Sequence, residues 1–214
     1  MRKSLLFVWA CMGLVCLMSA CKTSVKSKEW KLVWVEDFDQ KNSFDESVWT
    51  KIPRGTSDWN NYMSYYDSCY AMQDGNLILR GIANHTQKND TAPYLTGGVY
   101  TKGKKLFTGG RVEVCARLQA AKGAWPAIWM LPEKAEWPKG GEIDIMERLN
   151  HDHIAYQTTH SYYTHILGIK DNPPHGGINK INLEEYNIYS VDIYPDSLVF
   201  AVNHRHTYTY PRID

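Results

Sequence analysis

The chain has 214 residues, a mass of 24.6 kDa and a formal net charge of +1, and 43% of its residues are hydrophobic. This size fits one large domain with an ample core, and a near-neutral chain without a basic stripe argues against nucleic-acid binding. Tyrosine (14) and tryptophan (8) are abundant beside phenylalanine (5). Their rings combine a flat apolar body with a polar group, which suits sugar contacts as well as core packing.

The first twenty residues are predicted to be an export signal. They carry two basic residues, no acid and an apolar run too short to span a bilayer. The signal ends in Leu17-Met-Ser-Ala-Cys21, which resembles the bacterial lipobox and implies cleavage before Cys21 and lipidation of that residue. We therefore expect a lipid-anchored protein of the bacterial cell envelope, on the outer surface or facing the periplasm, with residues 21–29 as a tether. The alternative is an ordinary secreted protein with a small-residue cleavage site.

Two cysteines remain once the signal and Cys21 are set aside, namely Cys69 and Cys115. Export permits a disulfide between them, but both lie in strand-like segments, and buried free thiols are equally consistent with the sequence. The cysteine spacing is not that of a metal site.

Short apolar or alternating segments separated by turn residues predict an all-β domain over residues 30–214, because no amphipathic helix of ten or more residues competes. A β-sandwich or barrel is the expected architecture. Loops are predicted at 55–61, 151–152 and 164–180, and Pro195-Asp196 predicts a hairpin turn. The predicted strands are 32–38, 76–82, 98–102, 111–118, 125–131, 142–149, 154–160, 186–194 and 198–203, followed by a strand-like stretch at 207–210.

Three carboxylates lie within six residues of the segment Gly140-Gly-Glu-Ile-Asp-Ile-Met-Glu147. Glu142 and Asp144 are two residues apart, so they share one face of a strand. Glu147 is five residues from Glu142, which would place it on the opposite face. A β-bulge at Ile145-Met146, where the alternation breaks, would bring Glu147 back and spread the row over roughly 13 Å at about 3.3 Å per residue.

Such a row suits glycoside hydrolysis, in which one carboxylate attacks the sugar and another carboxylic acid donates a proton. Crowded acids cannot all be ionised, so one pKa rises. Two glutamates on a concave sheet could approach the separation of about 5–5.5 Å that retention requires. By itself the spacing arises by chance in roughly one chain in twenty-five, so a solvated strand face or a Ca²⁺ site is an alternative explanation.

The segments around the acids resemble glycoside hydrolase family 16. The resemblance rests on Gly123-Ala-Trp-Pro-Ala-Ile-Trp-Met-Leu-Pro132, Trp137-Pro-Lys-Gly-Gly141 and the acidic motif, whose bulged form matches the laminarinase and β-1,3(4)-glucanase-like branch. It extends from Trp34-Val-Glu-Asp-Phe38 to Tyr208-Thr-Tyr-Pro-Arg212. The resemblance implies a jelly-roll (concanavalin-like) β-sandwich and retaining, endo-acting polysaccharide hydrolysis. It also implies that Glu142 is the nucleophile, Asp144 its helper and Glu147 the acid/base.

The resemblance implies further substrate contacts. Trp125 and Trp129, expected four apart on one strand, would stack on sugar rings, and His160 would lie in the cleft on the next strand. Asn61 would contact sugar on the non-reducing side. The alternatives are two core tryptophans, a buried structural histidine and a turn asparagine. For Trp137 two roles are open, capping the cleft or only closing a loop, and the loop role is favoured.

The expected activity is endo-hydrolysis of mixed-linkage β-1,3-1,4-glucan or laminarin, because the loop segments look most like Bacteroidetes enzymes that act on mixed-linkage β-glucan. The sequence departs from many relatives at Tyr62, Ser64 and Cys115. Hydrolysis of agar, porphyran or carrageenan, a non-catalytic glycan-binding lipoprotein and a transglycosylase remain alternatives. No cofactor is required for the chemistry, the expected partners are a polysaccharide and, through the lipid anchor, a membrane, and a monomer is expected.

The family normally continues for several tens of residues past Tyr208-Thr-Tyr-Pro-Arg212. Those strands usually include a tryptophan-bearing cleft segment and an acidic residue of a structural Ca²⁺ site, so a structural calcium ion is compatible with the family, with ligands unknown here. The sequence is therefore interpreted as a fragment or a truncated gene product. Missing strands would expose apolar surface and open edges, so the 214-residue chain is expected to be poorly stable or inactive.

Overall fold

The computed structural model describes residues 30–40, 43–119 and 121–213. The predicted signal, the tether and the lipidation site Cys21 lie outside the described residues. All of the elements below belong to the unit that begins at Leu32. Within the described ranges, no helix has the length and apolar character needed to span a membrane.

The described part of the chain is almost entirely β-structure, with one 3₁₀ turn (Asp67–Cys69) and one π-helical turn (Tyr162–Ile166). The strands are β1 Thr50–Lys51, β2 Tyr70–Gln73, β3 Asn76–Leu79, β4 Gly81–Ala83, β5 Tyr94–Thr96, β6 Val99–Tyr100, β7 Gly110–Ala116, β8 Ala127–Met130, β9 Glu142–Glu147, β10 Ile154–His160, β11 Gly176–Lys180, β12 Asn187–Ile193, β13 Ser197–Val202 and β14 Arg205–Pro211.

Two four-stranded antiparallel sheets form the sandwich. The strand order is β11-β10-β9-β8 in one sheet and β14-β13-β12-β7 in the other, and the pairs β1-β6, β2-β3 and β4-β5 add short ribbons. Period-2 alternation turns the apolar side chains of each sheet inward. The core between them is formed by ten buried side chains: Leu118, Ile145, Met146, Ala155, Tyr189, Val191, Phe200, Val202, Tyr208 and Tyr210. The predicted all-β sandwich is therefore confirmed.

The strand predictions are most accurate around the acids. The bounds of β10 are those predicted, and the turn at Pro195-Asp196 is closed by the Tyr194 N–H, which donates to the Ser197 carbonyl at 2.9 Å. The predicted strand 76–82 is divided at Arg80, whose N–H donates to Cys69 and whose carbonyl accepts from Gly97. Those two bonds lie where the chain changes partner from β2 to β5, which local alternation cannot reveal.

One predicted strand and part of one predicted loop are wrong. Residues 32–38 form no strand; their aromatic side chains pack instead, with Trp34 5.7 Å from Phe107 and 6.4 Å from Trp49 between ring centroids. Conversely, β11 lies inside the predicted loop 164–180 and pairs with β10. It is an edge strand of Gly, Asn and Lys around one isoleucine, so it has little apolar periodicity to detect.

The two cysteines do not pair. Cys69 is fully buried and Cys115 is exposed, and both are free thiols. Of the two readings left open by the sequence, the disulfide is therefore excluded, and only Cys69 is a buried thiol.

Candidate active site

The acidic motif occupies β9, the strand between β8 and β10, and the predicted bulge is confirmed. Asp144 pairs with Thr158 and Glu147 with Tyr156, so three steps on β9 oppose two on β10. On the other side Asp144 pairs with Trp129, and the register shifts by one residue before Ile128 pairs with Met146. An extra residue between Asp144 and Glu147 returns Glu147 to the face that carries the other two acids.

A buried glutamine supports the bulge from β10. Gln157 is fully buried, and its Nε2 donates to the carbonyl of Ile145 at 2.8 Å. The same amide reaches the carbonyls of Ala201 at 3.2 Å and Ser190 at 3.4 Å on the opposite sheet. Bulges leave a backbone group without its ladder partner, and Gln157 supplies that partner.

The end of β9 is held by a buried arginine. Arg148 has 2% exposure, and its guanidinium donates to the carbonyls of Leu118 at 2.6 Å and Asp152 at 2.7 Å. The backbone N–H of Arg148 also donates to the Pro126 carbonyl. These bonds join the segment after Glu147 to the loop that carries Trp125. The sequence reasoning missed both Gln157 and Arg148, because neither carries a motif by itself.

The three acids perturb one another. Asp144 is buried at 4% exposure, and Glu142 and Glu147 are partly buried. Burial raises the pKa of Glu142 and Glu147, and the nearby charge of Asp144 raises both further. The charge of Glu142 also raises the pKa of Glu147. Acid/base chemistry near neutral pH needs a carboxyl group whose pKa lies above the ordinary range, and both outer acids have a pKa raised in this direction.

Each outer acid accepts a hydrogen bond from an indole. Trp125 Nε1 donates to Glu147 Oε1 at 2.7 Å, and Trp137 Nε1 donates to Glu142 Oε2 at 2.6 Å. Both bonds lower the pKa of their carboxyl group and so oppose the effect of burial. Trp137 also packs against the His165 ring at 4.4 Å between centroids. The interpretation of Trp137 as a residue that only closes a loop was wrong.

His160 faces the central acid. It pairs in register with Glu142, and its Nε2 lies 3.3 Å from Asp144 Oδ2. The polar contact with Asp144, together with its charge, raises the pKa of His160, while burial acts in the opposite direction. His160 therefore lies beside the acids, as predicted.

The two predicted stacking tryptophans are placed differently. Trp129 lies in β8 opposite Asp144, so its side chain is on the acidic face, and its ring meets Trp59 at 5.4 Å in an edge-on contact. Trp125 is not on the strand, since β8 begins at Ala127; it lies in the preceding loop with 48% exposure. Neither indole belongs to the core cluster, so the core alternative fails.

Asn61 lies in the turn next to Trp59. Its N–H donates to the Ser57 carbonyl at 2.9 Å, and its Oδ1 is buried yet accepts no hydrogen bond from the described residues. Within the same residues, no group of three or more His, Cys, Asp or Glu side chains is arranged to hold a metal ion.

The family model described as "XgeA-like, catalytic GH16 domain" matches residues 70–186, which is 117 of 214 residues. A keratan-sulfate endo-1,4-β-galactosidase of Sphingobacterium multivorum is 38% identical over 200 residues, covering 89% of this chain and 46% of the relative. A β-glucanase of Rhodothermus marinus is 30% identical over 208 residues, covering 92% of this chain and 71% of the relative. The chain thus spans about half the length of the first relative.

Solved structures agree. The laminarinase of Rhodothermus marinus superposes with a TM-score of 0.75 at 29% identity, covering 86% of this chain and 76% of that chain. A non-specific endo-β-1,3(4)-glucanase of family GH16 superposes with a TM-score of 0.74 at 25% identity, covering 87% of this chain and 76% of that one. The jelly-roll form of the sandwich is therefore confirmed. The matched domain and the relatives together show that the chain belongs to glycoside hydrolase family 16.

Proposed function

We propose that this chain hydrolyses β-glucan internally, with retention of configuration, and that its substrate is mixed-linkage β-1,3-1,4-glucan or laminarin. The observation that carries the proposal is the row of Glu142, Asp144 and Glu147 on one face of a bulged strand, with the pKa of both outer acids raised. Retaining glycosidases need one ionised and one protonated carboxyl group that flank the bond to be cleaved.

The family resemblance assigns Glu142 as nucleophile and Glu147 as acid/base. The repulsion between the two groups favours a state in which only one is ionised, and with Glu142 ionised its charge raises the pKa of Glu147. The Trp137 N–H donor stabilises the Glu142 carboxylate in that state.

In the first step Glu142 attacks the anomeric carbon while Glu147 gives its proton to the departing glycosidic oxygen. The product is a glycosyl ester on Glu142, and Glu147 is now a carboxylate. In the second step Glu147 removes a proton from water, the water oxygen attacks the anomeric carbon, and Glu142 leaves as a carboxylate. Asp144, the helper that the family resemblance implies, lies beside His160, and its charge favours the protonated form of Glu147 that the first step needs.

The names of the glucanase and laminarinase relatives support a β-glucan substrate. A sulfated galactan is the second candidate, because the relative at 38% identity is named as a keratan-sulfate endo-β-galactosidase. The near-neutral charge of the chain and its many Tyr and Trp side chains, however, suit an uncharged sugar. A sulfated chain is recognised best by Arg or Lys, so the uncharged glucan is favoured.

The test is product analysis on barley mixed-linkage glucan, laminarin, agar and keratan sulfate. We expect oligosaccharides from the two glucans. Glu142→Ala should abolish turnover, and Glu147→Ala should retain glycosyl-enzyme formation only for substrates with good leaving groups, because loss of an acid/base group costs about 10²–10⁴-fold. Glu184→Ala, an exposed glutamate, is the matched control. Undiminished glucan hydrolysis by Glu142→Ala would falsify the assignment.

We also propose that lipidation of Cys21 tethers the enzyme to the cell envelope, since several acyl chains at about 0.8 kcal/mol per buried methylene anchor a protein stably. Labelled fatty acid should enter the full chain in a bacterial host and should be lost in Cys21→Ser. Equal labelling of both proteins would contradict the proposal.

A further inference from the structure

The indole that donates to Glu147 comes from a loop and not from a strand. Trp125 is 48% exposed and precedes β8, which begins at Ala127. Pairing within the sheet therefore does not fix its backbone, and loop segments are in general more mobile than the strands that they connect. The 2.7 Å bond from Trp125 Nε1 to Glu147 Oε1 thus depends on whatever holds the loop in place.

The chain that follows β9 holds this loop through its backbone. The backbone N–H of Arg148 donates to the Pro126 carbonyl at 3.0 Å. The backbone N–H of Asn150 donates to the Ala124 carbonyl at 2.9 Å. The two carbonyls belong to the residues on either side of Trp125, so the acid/base and the indole that donates to it lie on two segments joined by hydrogen bonds.

One side chain completes this connection. Asn150 Oδ1 accepts from the Gly123 N–H at 2.7 Å, two residues before the indole. Asn150 has a φ of 52° and Gly123 a φ of 79°, both in the left-handed region that Gly and, among the other residues, Asn and Asp adopt most readily. In this conformation the backbone N–H and the side chain of Asn150 reach the loop together.

We propose that Asn150 is a positioning residue for the acid/base, and that it acts by holding the loop from which the Trp125 indole reaches Glu147. The inference rests on the proposed function, in which Glu147 gives up a proton in the first step and takes one back in the second. A fixed donor orients the carboxyl group, and orientation matters because a displacement of about 1 Å can cost 10²-fold in rate.

Loss of the Asn150 acceptor should change how Glu147 holds its proton. The Trp125 bond lowers the pKa of Glu147, against the larger effects of burial and of the Asp144 charge. A loop that is no longer held weakens that bond, so the pKa of Glu147 should rise. Glu147 must be protonated in the first step, so the basic limb of kcat/KM against pH should move to higher pH, whereas the acidic limb, set by Glu142, should stay.

The test is Asn150→Gly, because glycine adopts the same φ without strain and removes the acceptor. On mixed-linkage glucan, kcat/KM at the optimum should fall about three- to tenfold, the effect of losing one hydrogen bond of ordinary strength. Trp125→Phe keeps a ring but removes the N–H, so it should move the basic limb in the same direction. In the Trp125→Phe background, Asn150→Gly should move that limb no further.

Asn203→Gly is the matched control. Asn203 has a φ of 50°, its Oδ1 accepts from the Ile188 N–H at 2.8 Å, and its own N–H donates to the Ile188 carbonyl at 2.7 Å. It lies between β13 and β14 in the other sheet, so Asn203→Gly removes the same kind of contact there. This control should lower the urea midpoint at least as much as Asn150→Gly and should leave both limbs in place. If Asn150→Gly leaves the basic limb unmoved, or if Asn203→Gly moves it as far, the positioning role is refuted, while glucan hydrolysis by the wild type still supports the proposed function.

If the wild type cleaves no glucan, the proposed function fails, and the positioning role is tested by NMR. The Trp125 indole N–H signal, identified by its absence in Trp125→Phe, should shift with pH as Glu147 titrates. In Asn150→Gly the midpoint of that titration should move to higher pH. A wild-type signal that does not titrate, or a midpoint that Asn150→Gly leaves unchanged, overturns the proposal.

Discussion

The substitution Gln157→Leu tests whether the buried amide maintains the bulge that aligns the acids. Leucine has a similar volume but no donor, so the Ile145 carbonyl, bonded at 2.8 Å in the wild type, becomes buried without a partner. An unsatisfied buried polar group costs about 1–3 kcal/mol. The two longer bonds, at 3.2 and 3.4 Å, add little.

Part of that cost is offset. Gln157 Oε1 is itself buried without a partner among the described residues, and leucine removes it. We therefore expect a net loss of about 1–2 kcal/mol in the free energy of unfolding, which lowers Tm by roughly 2–8 °C in a domain of this size. Gln157→Glu should be worse, because it replaces the donor with a carboxyl group that must be buried.

Activity should fall further than stability, because the Gln157 bond supports the residue that separates Asp144 from Glu147. Displacement of a reacting group by about 1 Å can cost 10²-fold in rate, so we expect kcat to drop about ten- to hundredfold. The assay combines urea unfolding with kcat on mixed-linkage glucan. Gln73→Leu at the exposed end of β2 is the matched control and should change stability by less than about 0.5 kcal/mol. If Gln157→Leu matched that control in both measurements, the structural role assigned to Gln157 would be refuted.

Two further predictions concern the protons of the outer acids. Trp137→Phe removes the indole N–H that lowers the pKa of Glu142, so that pKa should rise and the acidic limb of kcat/KM against pH should move to higher pH; an unmoved limb would contradict the role of the bond. Glu142→Gln and Glu147→Gln should each stabilise the fold at pH 7, because burial raises the pKa of both groups above the unfolded value, and stability falls as pH rises through the folded pKa. The gain in Tm should be smaller at pH 4, where the wild-type groups are protonated, and a gain equal at both pH values would disprove the electrostatic cause.

The acidic row could be predicted because strand periodicity is strict. A spacing of two keeps side chains on one face of a strand, and a spacing of five does not. The segment from Glu142 to Glu147 therefore either places Glu147 on the opposite face or contains a bulge. The apolar pair Ile145-Met146 marks where the bulge lies, and the register of β9 against β8 and β10 confirms it. Strongly patterned segments such as 154–160 were predicted for the same reason.

Elements without apolar periodicity could not be predicted. The edge strand β11 is polar and glycine-rich, and it exists because β10 offers it a line of backbone partners. Residues 32–38 show the reverse case, in which alternation is present but the rings of Trp34 pack against other aromatic side chains. In both, the decisive contacts are with segments distant in the sequence.

The sequence by itself determined the residues of the candidate site, namely three carboxylates on one bulged strand among tryptophans of a glycoside hydrolase family 16 pattern. Only the tertiary structure decided how the pKa of the outer acids is shifted. The indoles of Trp125 and Trp137 come from loops and reach Glu147 and Glu142 only after the chain has folded, and the amide of Gln157 supports the bulge from the neighbouring strand. Periodicity places residues on a face, whereas hydrogen bonds and burial between distant segments set their pKa.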